Sequence, residues 1–162
     1  MKNYINFINE SKQLDDAIIQ CINDNTYRPL ELIPDKEHAM KVILNKFYDK
    51  LDNVNFEELI KYKFPLNAKE NGCTALIFAS SYNNKEIVKK LIGAKSDLNI
   101  KNRFGNTALM VASYYNRKKI VKLLIDAGAD INLQNKEGKT ALYFSKKFEE
   151  IIELLKSKGA KE

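Results

Sequence analysis

Three threonines, Thr74, Thr107 and Thr140, stand 33 residues apart, each within the same phrase, Gly-x-Thr-Ala-Leu. A fixed period of this length is typical of a stack of supersecondary units, in which each unit buries its apolar face against its neighbours. The period therefore excludes most other architectures for the second half of the chain. Because such stacks usually act as binding surfaces, it also favours recognition over catalysis as the function.

The second of these units indicates most clearly what the phrase does for the backbone. Gly105 supplies a turn conformation that residues with a side chain avoid, and Thr107 then stands where its hydroxyl can act as the N-cap of a helix. Asn116 tolerates the left-handed conformation that ends this helix, and Gly128 ends a second one. The unit is therefore predicted to run turn, helix, turn, helix, loop. Its predicted core positions are Leu109, Ala112, Ser113, Ile120, Val121, Leu123 and Leu124.

Over residues 66–162 this pattern resembles the ankyrin repeat. The family phrase Thr-Pro-Leu-His-x-Ala corresponds to Thr107-Ala108-Leu109-Met110, and its Ile-Val-x-x-Leu-Leu helix corresponds to Ile120-Val121-Lys122-Leu123-Leu124. Its Gly-Ala-Asp-x-Asn ending corresponds to Gly128-Ala129-Asp130-Ile131-Asn132. The resemblance implies an all-α fold, an ankyrin-like α-solenoid of stacked helix-turn-helix repeats with short turn and hairpin loops.

The units depart from the family pattern in ways that bear on stability. Ala stands in place of Pro in all three, and Ala is a good helix former, so the helix start is expected to survive. In the first unit Lys90 and Lys95 occupy the positions of core Leu123 and of Gly128. A residue other than Gly in a left-handed C-cap costs about 1 kcal/mol, so this unit is predicted to be weaker. The position of the family's His is held by Ile77, Met110 and Tyr143.

The chain upstream of the three phrases is predicted to be helical as well. Asn55 and Glu58 have capping-box spacing and open a short helix. Pro34-Asp35 is typical of the entry to a longer helix, predicted to run through Leu51, and Arg28-Pro29 is predicted to break the chain before it. The predicted segments are 1–34 as an N-terminal segment with a capping helix at 11–23, 35–67 as a degenerate first repeat, 68–101 and 102–134 as the next two repeats, and 135–162 as a C-terminal capping repeat.

No pattern typical of catalysis or metal binding occurs in the sequence. It has no Gly-rich phosphate loop after a strand and no nucleophile elbow. Neither Cys21 nor Cys73 has a Cys or His at metal-ligand spacing. Cys21 is expected to be a small buried residue, Cys73 to lie at an exposed turn, and the lone His38 to be an exposed or packed residue. We therefore expect no enzyme activity, no catalytic residue, no metal and no cofactor.

The distribution of charge is compatible with a second class of partner. The formal net charge of +6 is uneven, because residues 1–66 hold 9 basic and 11 acidic residues while residues 67–162 hold 18 and 10. A basic repeat region could attract nucleic acid or another polyanion. Against this, only 3 of the 27 basic residues are arginines, the type best suited to phosphates and base edges. Nucleic-acid binding is therefore the alternative hypothesis.

The chain has no apolar run of membrane-spanning length, and residues 1–10 alternate polar and apolar types, unlike a signal peptide. We expect a soluble, cytoplasmic protein with no membrane partner; delivery into a host cell stays an open alternative. Residues 1–10 are expected either to dock as a short helix or to form a partner-binding tail.

The resemblance implies a site on the concave face, which consists of the turn tips and the exposed side of each first helix. It implies a monomeric adaptor, inhibitor or effector that binds a partner protein, whose identity the sequence does not specify. Tyrosines and phenylalanines beside arginines match the composition of interface hot spots; alternatively, the rings pack as filler between neighbouring helices. The candidate partner-binding residues are Tyr82, Arg103, Phe104, Asn106, Tyr114, Tyr115, Arg117 and Phe148.

Overall fold

The computed structural model describes residues 11–47 and 54–161, and these contain nine α-helices, one 3-10 helix and no β-strand. Within these ranges no helix has the length and apolar character needed to cross a membrane. The α-helices are α1 (Ser11–Asn23), α2 (Lys36–Phe47), α3 (Phe56–Lys61), α4 (Ala75–Ser81), α5 (Lys85–Gly93), α6 (Ala108–Tyr114), α7 (Lys118–Asp126), α8 (Ala141–Phe144) and α9 (Glu149–Ser157), and the 3-10 helix is Arg28–Leu32.

The helices after residue 74 form three pairs that stack in two layers. The first helices α4, α6 and α8 pack in sequence order, and the second helices α5, α7 and α9 form the other layer, which α3 extends. Each first helix also packs against the second helix of its own pair. The predicted all-α solenoid of helix-turn-helix units is therefore confirmed. The boundaries drawn between the units stay predictions.

Each repeated threonine starts a first helix. The Oγ1 atoms of Thr74, Thr107 and Thr140 accept a hydrogen bond from the N–H three residues later, in each case over 3.4 Å. The alanine that follows the threonine is at most 1% exposed in every unit. A small buried residue here allows adjacent first helices to approach closely, so the phrase serves both capping and packing.

The turns and helix ends adopt the left-handed conformation that the sequence predicts. Asn116 ends the first helix of its unit with a φ of 56°, and Lys95 stands at 60° where the next unit has Gly128 at 89°. The second helices α5 and α7 are each followed by an N–H that donates to a carbonyl five residues back. The N–H of Ser96 donates to Leu91, and that of Ala129 donates to Leu124. Helix α1 ends in the same way, with Thr26 bonded to Cys21.

Upstream, the structure contains helices where the sequence predicts them. A helix, α1, occupies 11–23 and packs against α2, with Ile18, Cys21 and Ile22 buried, and Asn55 caps α3 through its side chain. The role of α1 as a cap on the stack stays a prediction. Arg28-Pro29 does not simply break the chain but starts a 3-10 helix, a place where proline is tolerated because the first N–H has no helical partner. The predicted helix end at Leu51 and the two alternatives for residues 1–10 lie outside the described residues.

Two burial predictions are wrong. Leu123 is half-buried rather than in the core, and Lys90, at the same position one unit earlier, is half-buried too, with its Nζ 3.1 Å from a carboxylate oxygen of Glu57. Because the side of the second helix at this position remains partly open to water, a lysine weakens the unit less than the sequence suggests. Cys73 is half-buried rather than exposed, because its thiol lies beside Asn102 of the next turn tip.

Candidate functional site

A groove of about 400 Å³ lies along the first helices α4 and α6 and reaches the turn tips that precede them. Its walls come from one side of each helix, because residues three and four apart in a helix share a face. None of its lining side chains carries a formal charge at neutral pH. The lining residues are Cys73, Ile77, Phe78, Ser81, Tyr82, Asn102, Phe104, Asn106, Met110, Val111, Tyr114, Tyr115 and Phe144.

Four aromatic rings of the groove are open to solvent. Tyr82, Phe104, Tyr114 and Tyr115 are between 50 and 58% exposed, which is high for large apolar side chains. Tyr114 meets Tyr115 edge to face at a ring-centroid distance of 4.9 Å, and its ring lies 6.0 Å from that of Phe144. These contacts orient the tyrosines while leaving about half of each ring accessible.

Both arginines of the repeat region lie at the edge of this groove. The guanidinium of Arg117 donates from Nε and Nη2 to the carbonyl of Ser81, at 3.3 and 3.2 Å, and lies 5.8 Å from the ring of Tyr115. Arg103 lies over the ring of Phe104 at 4.8 Å. An arginine that stacks on an exposed ring can hold the ring and still offer donors to a ligand.

The turn tip that carries Phe104 is held by an asparagine. The Oδ1 atom of Asn102 accepts hydrogen bonds from the N–H groups of Phe104 and Asn106, at 2.9 and 3.0 Å. Asn106 in turn accepts from the side chain of Asn135 in the next tip, over 2.8 Å. Asn106 is therefore half-buried and engaged between the tips, which leaves its amide less available to a ligand than the sequence suggests.

Titration in and near the groove follows burial and pairing. Burial raises the pKa of the Cys73 thiol, and a hydrogen bond from Asn102 and the charge of Arg103 offset only part of this rise. At the next tip, a hydrogen bond to Glu137 raises the pKa of Lys139. The thiol of Cys73, which lines the groove, is therefore neutral at physiological pH. Among the described side chains, no group of three or more His, Cys, Asp and Glu could hold a metal ion.

Comparison with known families agrees with this geometry. A family model described as ankyrin repeats, in three copies, matches residues 79–162, just over half of the chain. The chain belongs to the ankyrin repeat family. No curated protein gives a significant match. Ankyrin repeats are generally protein–protein interaction modules without enzymatic activity, and the groove lies on the ankyrin stack where its first helices and turn tips meet.

The structure brings most of the eight candidate residues together. Tyr82, Phe104, Asn106, Tyr114 and Tyr115 line the groove, and the two arginines border it. Phe148 does not belong with them.

Phe148 lies apart because the third ankyrin unit is two residues shorter between its threonine cap and its second helix, and its first helix has four residues instead of seven. Phe148 is the N-cap residue of α9, its ring is half-buried against the core, and its carbonyl accepts from the N–H groups of Ile151 and Ile152. Its role in the described structure is therefore to pack and to start a helix.

Three groove residues that the candidate set lacks share a position in successive ankyrin units. Phe78, Val111 and Phe144 are spaced by 33 residues, are half-buried, and pack against the core while lining the groove. Their 33-residue spacing could have identified them from the sequence. An apolar residue at the same position on the open side of every first helix indicates that these residues form one continuous surface across the units.

Proposed function

We propose that this ankyrin repeat protein binds a segment of a partner protein in the groove between α4 and α6. The observation that carries the proposal is the set of four half-exposed aromatic rings around an uncharged groove of about 400 Å³. Exposed Tyr and Phe at the wall of a pocket, with Arg at its edge, are the residue types that dominate binding energy at protein interfaces.

The tyrosines suit this role for a physical reason. Each presents a large area and loses little conformational entropy on binding, and its hydroxyl can bond a backbone group of the partner. The alternative, that the rings only fill space between helices, applies better to the half-buried rings of Phe78 and Phe144. Tyr114 does touch Phe144, but 58% of Tyr114 remains exposed.

No specific observation favours nucleic acid as the partner. Several lysines of the second helices already pair with carboxylates, such as Lys118 with Glu150 at 2.7 Å and Lys122 with Asp126 at 3.3 Å. Such pairs reduce the positive field that a phosphate backbone would meet on that face.

The change Tyr114→Ala/Tyr115→Ala tests the proposal. We expect it to weaken binding of the partner by about thirtyfold or more, since hot-spot residues contribute about 2 kcal/mol or more. Affinity capture from the native host, followed by mass spectrometry, would supply the partner, and calorimetry with the purified pair would measure the affinity.

The matched control is Tyr143→Ala, which removes an exposed tyrosine that does not line the groove. It should leave the affinity unchanged. Both variants should unfold within about 1 kcal/mol of the wild type, as expected for exposed side chains. Collapse of the double variant would favour the filler interpretation, and undiminished binding would place the site elsewhere.

The predictions of a cytoplasmic location and a monomeric state go with this proposal. A monomer leaves the groove open for a different chain. Size-exclusion chromatography with light scattering tests that prediction directly, and a dimer that buries the groove tyrosines would contradict it.

A further inference from the structure

The groove itself is neutral, yet cations border it at both ends. Arg103 stands in the turn tip before α6, beside Phe104, and Arg117 stands beyond the far end of α6, bonded to the carbonyl of Ser81. The first helix between them has seven residues. A segment that lies along the groove therefore meets a positive charge at each end of a neutral aromatic channel.

No carboxylate among the described residues pairs with either of these two positive charges. Within the described part of the chain, neither Arg103 nor Arg117 forms an ion pair. A guanidinium has five N–H donors, and Arg117 directs Nε and Nη2 to the Ser81 carbonyl. Donors remain on both arginines for a ligand.

The surrounding turn tips add to the positive field. Residues 69–73, 102–106 and 135–139 carry four cations against two carboxylates. One of these carboxylates, that of Glu137, is bound by Lys139 at 2.6 Å. Glu70 is the remaining acidic side chain of these tips, and its loop adjoins Arg103, whose backbone N lies 3.0 Å from where a Cβ on Gly72 would stand. The tips are therefore net positive.

We propose that the segment bound here is an extended acidic peptide of a partner protein, with carboxylates at both ends of an apolar or aromatic centre. This rests on the function proposed above and specifies the partner's chemistry. Charge-assisted bonds to arginine are stronger than neutral ones, and the exposed rings would contact the apolar centre. A helix the length of α6 spans about 10 Å, and the tips extend this distance. An extended chain rises about 3.3 Å per residue, so the carboxylates should lie about three to five residues apart.

Duplex DNA fits this groove less well than such a peptide. Duplex DNA carries one negative charge about every 1.7 Å of its axis, so two arginines at the ends of α6 would leave most phosphates on the groove unmatched. The bases of a duplex are also stacked within it, so they would not reach the aromatic rings.

A selection from a random peptide display library against the full chain tests the proposal. The expected result is enrichment of peptides in which acidic residues flank an aromatic or aliphatic centre. The Tyr114→Ala/Tyr115→Ala variant should lose these peptides. Enrichment of neutral or basic peptides that still need the tyrosines would overturn the acidic partner and leave the proposed function standing. Peptides that bind independently of the tyrosines would contradict both.

Fluorescence anisotropy with one selected peptide then measures the charge contribution. Replacing one flanking carboxylate of the peptide with its amide, or changing Arg103→Gln, should weaken binding about tenfold, and binding should fall with added salt. The peptide change leaves the protein untouched, so it remains decisive if the Arg103→Gln variant fails to fold. The matched control is Lys119→Gln, which removes the same charge from an exposed position on α7 and should change the affinity little.

Unchanged affinity on loss of the peptide carboxylates would overturn the proposal. Displacement of the peptide by a labelled single-stranded oligonucleotide would also overturn it, if that oligonucleotide does not bind the Tyr114→Ala/Tyr115→Ala variant.

Discussion

At the scale of single residues, Gly105 combines two requirements that only glycine satisfies. Its φ of 83° is a conformation that residues with a Cβ avoid, and a Cβ there would lie 2.6 Å from the backbone N of Lys136 in the next turn tip. The close approach allows the Lys136 N–H to donate to the carbonyl of Phe104 over 3.2 Å. One glycine therefore sets both the turn and the spacing of two units.

Changing Gly105→Ala should destabilise the fold by about 3 kcal/mol or more, because backbone strain and a clash with backbone add together. Gly128→Ala is the matched control, since its φ is 89° but no atom of the described residues lies within 4 Å of its added Cβ. The control should lose only about 1 kcal/mol. Urea unfolding of both variants measures the difference, and equal losses would show that the contact with Lys136 contributes nothing.

At the scale of the helix, the second helices share one way of ending but differ in the residue that provides it. Gly128 and Gly159 occupy the left-handed position after α7 and α9, whereas Lys63 and Lys95 occupy it after α3 and α5 with φ values of 58° and 60°. A lysine pays a steric cost in that conformation that glycine does not. The N-terminal part of the stack is therefore closed by less favourable residues than the C-terminal part.

Replacing Lys95→Gly should raise the free energy of unfolding by about 1 kcal/mol, which for a chain of this length is about 2–4 °C in Tm. Lys95 is exposed and has no ion pair among the described residues, so little is lost with its side chain. Calorimetry measures the shift. Lys95→Ala is the control that removes the same side chain but keeps the Cβ, and it should show no gain. A gain of equal size in both variants would mean that the side chain, not the left-handed backbone, is unfavourable.

At the scale of the whole molecule, stability comes from contacts between successive units, so equivalent positions differ according to their neighbours. Met110 is 1% exposed between its neighbours, whereas Tyr143, one period later, is 42% exposed. Two lysines lie near the Tyr143 ring instead, with Nζ of Lys146 at 3.8 Å and of Lys139 at 4.9 Å from its centroid. Flexible cations here take the place that packed side chains have in the interior.

Met110→Ala should therefore cost about 2–5 kcal/mol, the usual range for a large buried side chain. Tyr143→Ala removes the residue at the same position of the next unit and should cost about 1 kcal/mol or less, since it loses mainly exposed cation–π contacts. Chemical denaturation of both variants measures the contrast. Similar losses would mean that the third unit is coupled to the stack as strongly as the second.

Much of the candidate site could be predicted because the repeat places residues in known positions. Tyr114 and Tyr115 follow the capped start at Thr107 by one helix length, which puts them on the open side of α6. Phe148 could not be placed in this way, because the two residues missing before it remove the turn that the other units share. Asn106 lines the groove, but its bond to Asn135 joins residues 29 apart and becomes visible only when the tips are stacked.

The local features of this protein are determined by neighbouring residues in the chain. The period, the threonine caps, the left-handed ends and the apolar side of each helix depend on residues a few positions apart, so they could be read from the sequence. The features that define the groove depend on contacts across units. Arg117 reaches the carbonyl of Ser81, 36 residues away, and Tyr114 meets Phe144, 30 residues away. Only stacking brings these groups together, because the distance between units is set by the packing of small side chains and by the close contact at Gly105.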